Sequence, residues 1–386
     1  MTPSKYDLIL YGASGFTGKQ TVEYCKRSAP PGLRWAIAGR NRAKLDAVNT
    51  AAVDVLVADA QDDAAVDALT RQTAVVASTA GPFSIYGSKL VAACVRNRTH
   101  YCDITGETPW IRGLIDRHHE QAKADGTRII PCCGFDSIPS DYGAWLVARL
   151  LPDCDRVSAY FRMAGGVNGG TLATAMHLSQ TGEIRMTRDI FLLDPDPRAH
   201  SDEERSRNAD PAVAHYDSDL QGWVSPFFMG AINTRIVRRT QALLGSRFDY
   251  QEYMRFDSAL AAWTVSVSTG LFEQVMASRF GRWMVQPLLP TPGEGPSEKV
   301  MDAGYFEGEW IGHGRSGGRA RFKIKGQGDP GNRITVKCLC ESAFILASIH
   351  EPASGTGGVL TPVTGLGDAL VEGLRNAGMI FEATAA

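Results

Sequence analysis

The stretch Tyr6-Asp7-Leu8-Ile9-Leu10-Tyr11-Gly12-Ala13-Ser14-Gly15-Phe16-Thr17-Gly18 limits the possible folds more than any other part of the chain. A short apolar run enters three glycines spaced three apart, and Lys19 to Arg27 then read as a helix. Glycine has no Cβ and accepts positive φ, so such a turn lets the backbone approach a pyrophosphate closely. The first amides of the helix face that phosphate, where the macrodipole favours negative charge. Three glycines alone carry little weight; the strand before and the helix after are the context the motif requires. The spacing predicts a dinucleotide turn, with Gly12, Ser14, Gly15, Phe16, Thr17 and Gly18 against the cofactor.

The second strand indicates which dinucleotide. Leu33 to Arg40 reads as a strand ending in Gly39-Arg40. Arg40 lies about twenty residues past the turn, where an NAD enzyme carries an acid for the ribose 2′-hydroxyl. A guanidinium there forks onto a 2′-phosphate with charge-assisted bonds, so Arg40 and Asn41 point to NADP(H). Arg42 and Lys44 add positive charge nearby.

Strand and helix patterns then alternate through the first third. Val53–Ala58, Ala74–Thr79, Thr99–Ile104 and Arg128–Pro131 read as strands. Asp62–Arg71, Ser88–Asn97 and Trp110–Asp125 read as the helices between them. Continuous apolar strands alternating with helices imply an α/β class: a Rossmann-type, doubly wound parallel sheet covered on both faces. Past Gly134 the pattern changes, and at 386 residues the chain is long enough for a second, α+β domain. The expected division is residues 1–133 for NADP binding and 134–350 for substrate and dimerisation. Residues 351–386 form a C-terminal segment that returns to the first domain.

Within the second part, Ser140–Leu151 and Thr171–Gln180 read as helices, Val157–Met163 as a strand and Tyr305–Lys325 as a hairpin of an antiparallel sheet. Asp194–Asp219 reads as a long surface excursion, and Pro287–Ser297 as a Pro- and Gly-rich break. Val336, Leu339, Ala343, Leu346 and Ile349 recur at helical spacing, and Gly357–Phe381 reads as a loop and helix.

Composition excludes several classes of function. A formal net charge of −2 carries no basic field, so nucleic acid is not an expected partner. With 44% hydrophobic and 21% charged residues, the chain has the balance of a soluble globular protein. The start lacks a signal-peptide pattern, and no apolar run reaches the roughly 18 residues that span a bilayer. A cytoplasmic location is expected, and peripheral membrane contact is compatible with it. The eight cysteines include no C-x-x-C pair, and no metal site is expected. Cys25, Cys94 and Cys133 sit in apolar patterns as reduced core thiols.

In open parallel sheets, ligands bind beyond the carboxyl ends of the strands. That rule selects the loops Gly12–Gly18, Gly39–Arg42, Ala80–Tyr86 and Cys102–Glu107, joined by Gly134–Pro139. Asp59 falls near the adenine, and Ala80, Gly81 and Pro82 lie toward the nicotinamide. Tyr86, Tyr101 and Asp136 are the candidate proton donors, with Asp103 and Tyr142 near the same cleft. Against each stands an ordinary role, because a buried tyrosine bonds structurally and an Asp in a turn caps a helix. His177, between Met176 and Leu178, reads as a packed helix residue. No tyrosine has lysine four residues later, which argues against the Tyr-x-x-x-Lys mechanism of short-chain dehydrogenases.

Together, Tyr11–Gly18, Ala38-Gly39-Arg40-Asn41, Ala80–Phe83 with Tyr86-Gly87, Tyr101–Glu107 and Gly134–Asp141 resemble the saccharopine dehydrogenase-like oxidoreductases. With Pro292–Ser297 and Gly358–Pro362, the chain most resembles their trans-acting enoyl reductase branch. The resemblance implies an NADP-binding Rossmann domain and a second domain for substrate and subunit contacts, hence a homodimer. It also implies reduction of an unsaturated acyl thioester, a lipid-like substrate carried by a polyketide synthase during glycolipid synthesis. Two other readings stay open. One is an imine or carbonyl reductase of the saccharopine type, and the other is a non-catalytic, lipid-associated NADP-binding protein. The run Trp223–Met229 suits an acyl chain if it lines the pocket, and suits core packing otherwise.

Overall fold

In the computed structural model the chain forms two seven-stranded sheets, and it describes residues 4–166, 176, 183–285, 294–349 and 353–384. The helix expected at Thr171–Gln180 (Met176 apart), His177, and residues 287–293 of the Pro- and Gly-rich break lie outside the described residues.

The first sheet holds β1 (Tyr6–Tyr11), β2 (Trp35–Gly39), β3 (Asp54–Val57), β4 (Thr73–Ser78), β5 (His100–Asp103) and β6 (Arg128–Ile130). A short late strand, β13 (Gly358–Val359), completes it, and the spatial order is β13-β6-β5-β4-β1-β2-β3. All of its pairings are parallel. The order reverses direction between β1 and β4, which is the switch point where a dinucleotide sits. Leu8, Ile9, Ile37, Val75 and Val76 are completely buried, as expected of a sheet covered on both faces. The crossover helices are α1 (Phe16–Ser28), α2 (Arg42–Asp46), α3 (Asp63–Thr70), α4 (Phe83–Tyr86), α5 (Ser88–Asn97) and α6 (Thr108–Asp125). The helix α1 begins at Phe16, three residues before its expected start, so Gly18 lies within its first turn.

After β6 the helix α7 (Ile138–Arg149) leads into the second sheet. Its strands are β7 (Cys154–Ala164), β8 (His215–Asp217), β9 (Gly222–Pro226), β10 (Asp249–Phe256), β11 (Tyr305–Gly314), β12 (Arg319–Gln327) and β14 (Ile380–Thr384). They are ordered β14-β12-β11-β7-β10-β9-β8. The β11–β12 hairpin is as expected, but the sheet is mixed rather than antiparallel, because β7 and β10 run parallel. Their connection makes that possible: it contains α8 (Asp202–Arg207) and α9 (Gly230–Leu244) and is long enough to cross over.

The segment Asp194–Asp219 is more than a surface excursion, since it supplies both α8 and β8. Three buried arginines of α9 hold the chain that leads into it. Arg235 donates to the Thr187 carbonyl at 2.7 Å, Arg238 to Ile190 at 2.9 Å and Arg239 to Leu193 at 2.7 Å. The remaining helices are α10 (Ala259–Ala277), α11 (Arg279–Val285), α12 (Glu298–Ala303), α13 (Thr335–Ala347) and α14 (Pro362–Asn376). The helix α13 packs on α1 and on β1, β4 and β5 of the first sheet. The C-terminal segment does more than form a loop and helix, for it adds β13 to one sheet and β14 to the other. Among the described residues, no helix is long and apolar enough to cross a membrane.

Candidate active site

The glycine turn has the geometry the sequence requires. Gly12 adopts φ +84°, and a Cβ built on it would stand 2.9 Å from the Ala80 nitrogen. A Cβ on Gly18 would stand 2.2 Å from the Gly12 carbonyl oxygen, so α1 closes on β1 at a distance no side chain allows. Gly15 caps the helix in extended backbone conformation, with no side chain over the first amides of α1. That leaves unsatisfied donors aimed outward, the arrangement that receives phosphate. Ser14, Phe16 and Thr17 border the turn and are partly exposed.

Arg40 projects from the end of β2 and is exposed, with no carboxylate partner among the described residues. Its neighbours are otherwise committed: Arg42 pairs with Asp46, and Asn41 caps α2 by accepting from the Lys44 amide at 3.0 Å. Asp59 accepts the Gln61 amide at 2.9 Å and shapes its own turn after β3. Tyr11 donates to the Ala58 carbonyl at 3.0 Å, and burial pushes its hydroxyl up to about 12.

The three candidate proton donors separate sharply. Tyr86 stands at the Arg40 end, its ring centroid 6.0 Å from the guanidinium carbon. The ends of β4 to β6, where strand order leads one to expect the nicotinamide, lie on the other side of the switch point from Arg40, so Tyr86 is poorly placed for a proton donor. Tyr101 is completely buried in the sheet, and its hydroxyl donates to Asp103 Oδ2 at 2.8 Å. A hydroxyl with no exposure cannot reach a substrate. Asp136 differs from both. It follows β6 at the mouth of α7, keeps a partly exposed edge, and has no hydrogen-bond partner among the described residues. Burial alone pushes its carboxyl up to about 6.

The loops around it are tied together by hydrogen bonds. Glu107, completely buried, accepts the Phe83 amide at 2.6 Å and the Ser84 amide at 2.9 Å. It therefore ties the Ala80–Pro82 loop to the start of α6, a role sequence reasoning missed although Glu107 lay in a quoted motif. Asp103 accepts the Thr105 amide at 3.0 Å and the Cys132 amide at 3.2 Å, and burial pushes it to about 7. Asp141 accepts the Val363 amide at 3.0 Å together with the Thr240 hydroxyl, and Tyr142 donates to the Gly367 carbonyl at 2.9 Å. Both are structural. Between these fixed points, Thr79, Ala80, Gly81, Pro82, Ile104, Gly106 and Asp136 are the partly or fully exposed residues at the ends of β4, β5 and β6. Asp136 is the only titratable side chain in that set.

The geometry is that of a Rossmann oxidoreductase built to hold a nicotinamide dinucleotide. Residues 8–130 match the family model of the saccharopine dehydrogenase NADP binding domain. A trans-acting enoyl reductase of Mycobacterium bovis is 34% identical over 425 residues, covering 100% of this chain and 99% of its own length. Among solved structures, saccharopine dehydrogenase (L-Glu forming) from Saccharomyces cerevisiae superposes with a TM-score of 0.57. That alignment has 12% identity and covers 98% of this chain and 99% of the yeast chain. The homospermidine synthase of Legionella pneumophila, in complex with NAD, gives 0.56 at 10% identity over 99% and 92% of the two chains. The last two show the fold alone. The chain belongs to the saccharopine dehydrogenase-like NADP-dependent oxidoreductases, in the trans-acting enoyl reductase branch.

Proposed function

We propose that the protein reduces a carbon–carbon double bond conjugated to an acyl thioester, with Asp136 as the proton donor. The observation that carries this reading is the unpartnered, partly exposed Asp136 carboxyl among otherwise uncharged residues at the nicotinamide end. NADPH, when bound, supplies the hydride that goes to the β-carbon. Gly12, Ser14, Gly15, Phe16, Thr17 and Gly18 hold its pyrophosphate, and Arg40 with Asn41 holds the 2′-phosphate end. Asp59 borders the adenine, and Ala80, Gly81 and Pro82 border the nicotinamide. The Asp136 carboxyl donates its proton to the α-carbon, leaving a saturated thioester and the oxidised cofactor. A carboxyl held near 6 is better matched to proton transfer near neutral pH than one at its ordinary 3.8.

Two features favour an acyl substrate over an amino acid. The loops 79–82, 104–107 and 131–137 contain no arginine or lysine to bind a substrate carboxylate. The full-length relative bears the name trans-acting enoyl reductase, which suggests a substrate presented by a polyketide synthase. The domain division stated above, a homodimer and peripheral membrane contact belong to the same reading. The apolar side chains exposed on α10 and α11, among them Leu260, Val267, Leu271, Phe280 and Trp283, favour an apolar partner. Eight free thiols, seven of them buried, suit a cytoplasmic location.

The test is deuterium transfer from each 4-deuterated NADPH epimer to a panel of enoyl thioesters, read by mass spectrometry. Saturated product carrying one deuterium is the expected result and fixes the hydride face. Tight NADPH binding with no transfer to any thioester overturns the assigned reaction.

A further inference from the structure

Tyr86 is the candidate donor that the fold removes from the reacting end, and its new surroundings give it a different use. Its loop follows β4 yet crosses toward the ends of β2 and β3. Two ties hold it there. Gln61, after β3, donates through its side-chain amide to the Ile85 carbonyl. Lys89 reaches back to the Gln61 carbonyl and to Asp63, both at 2.8 Å. Tyr86 is partly buried and packs against the first sheet's apolar core, so the core backs its side chain. Its outer side meets Arg40 at 6.0 Å. The hydroxyl has no hydrogen-bond partner among the described residues, so the contact is made by the ring.

Arg40 needs such a support. It sits on an exposed turn, where Arg42 is paired with Asp46 and the Asn41 side-chain oxygen caps α2, so neither neighbour holds its guanidinium. A free arginine side chain loses considerable rotamer entropy when it grips a ligand, and a ring beside the guanidinium removes part of that cost beforehand. From this juxtaposition we infer that Tyr86 is a specificity-determining residue: it positions Arg40 for the 2′-phosphate and so raises the preference for NADP(H) over NAD(H). The inference rests on the proposed role of Arg40, and it assigns to the loop after β4 a selectivity usually sought only after β2.

The experiment is equilibrium titration of the full chain with NADPH and with NADH, followed by nicotinamide fluorescence and needing no acyl substrate. Tyr86→Leu keeps apolar bulk against the core but removes the ring, whereas Tyr86→Phe keeps the ring. Tyr86→Leu is expected to raise the NADPH dissociation constant roughly two- to fivefold and to leave NADH within about twofold. Tyr86→Phe is expected to match the wild type. In an Arg40→Ala background, Tyr86→Leu is expected to change neither constant, because the two side chains act through one contact. Equal weakening of both cofactors, an undiminished effect without Arg40, or damage by Tyr86→Phe would each overturn the inference. The parent reading fails separately, if Arg40→Ala alone leaves the NADPH-to-NADH ratio unchanged.

Discussion

The loops that follow β5 and β6 lie side by side at the carboxyl edge of the first sheet, and each carries carboxylates out of water. After β5, Asp103 and Glu107 are surrounded by donors: the Tyr101 hydroxyl and the amides of Thr105, Cys132, Phe83 and Ser84. After β6, Asp136 is largely enclosed but keeps an exposed edge, and it has no donor among the described residues. A buried carboxylate that accepts several hydrogen bonds offsets its desolvation and fixes the backbone around it. One without donors keeps that cost and is left open to an incoming group. The same chemistry thus builds a wall in one loop and a candidate reagent in the next, and the difference lies in the neighbours.

This contrast can be broken by substitution, and its largest expected effect is on turnover. Asp136→Asn should lower turnover of an enoyl thioester by about 10²–10³-fold while leaving NADPH affinity within about twofold. Undiminished turnover would remove Asp136 from the chemistry. Next in size, Glu107→Ala should cost about 2–5 kcal/mol of stability, since a buried amide and a part-buried one lose their acceptor. Urea unfolding reads this directly, and a loss below about 1 kcal/mol would show that the wall does not depend on Glu107.

Asp103→Asn should cost less, about 1–3 kcal/mol, because one acceptor oxygen remains. It should change turnover far less than Asp136→Asn does. The smallest effect has the opposite sign. The Asp136 carboxyl sits at about 6 in the fold against an ordinary 3.8, so between those values the native state holds the extra proton. Stability from this group is then undiminished below about pH 4 and falls as pH rises to about 6. Above that, the ionised group costs at most about 3 kcal/mol, less for its partly exposed edge. Asp136→Asn should therefore be more stable than the wild type at pH 8, by about 1–2 kcal/mol, and no more stable at pH 4. A variant destabilised at pH 8 would mean that Asp136 is a structural carboxylate after all.

How much of this could be read from the chain depends on sequence distance. The glycine turn, the first six strands and the place of Arg40 at the end of β2 were legible because each rests on residues within one strand–turn–helix unit. Asp136 was among the candidates, but nothing local distinguished it from a helix cap. What separated it was the absence of donors from elsewhere in the fold. Tyr101 failed as a donor for the converse reason, since its hydroxyl is used by Asp103 two residues on and its ring is sealed within the sheet. Tyr86 was misplaced because its loop is drawn sideways by Gln61 and Lys89, interactions across 24 and 28 residues of sequence. The segment Asp194–Asp219 looked like solvent-facing chain because it is polar. Its approach is buried by arginines more than forty residues later, and arginines of that kind read as surface residues.

The C-terminal segment has a consequence for synthesis. β13 pairs with β6 through Gly358 and Val359, and α13 covers one face of β1, β4 and β5. The ribosome releases the glycine turn first and these covering elements more than 300 residues later. Until then, the strands that cradle the dinucleotide have an open edge and a bare apolar face. A strand edge and apolar face of that kind are open to association with another chain. The first sheet gains its last strand only when Gly358 and Val359 emerge, after β7 to β12 of the second sheet have already been made.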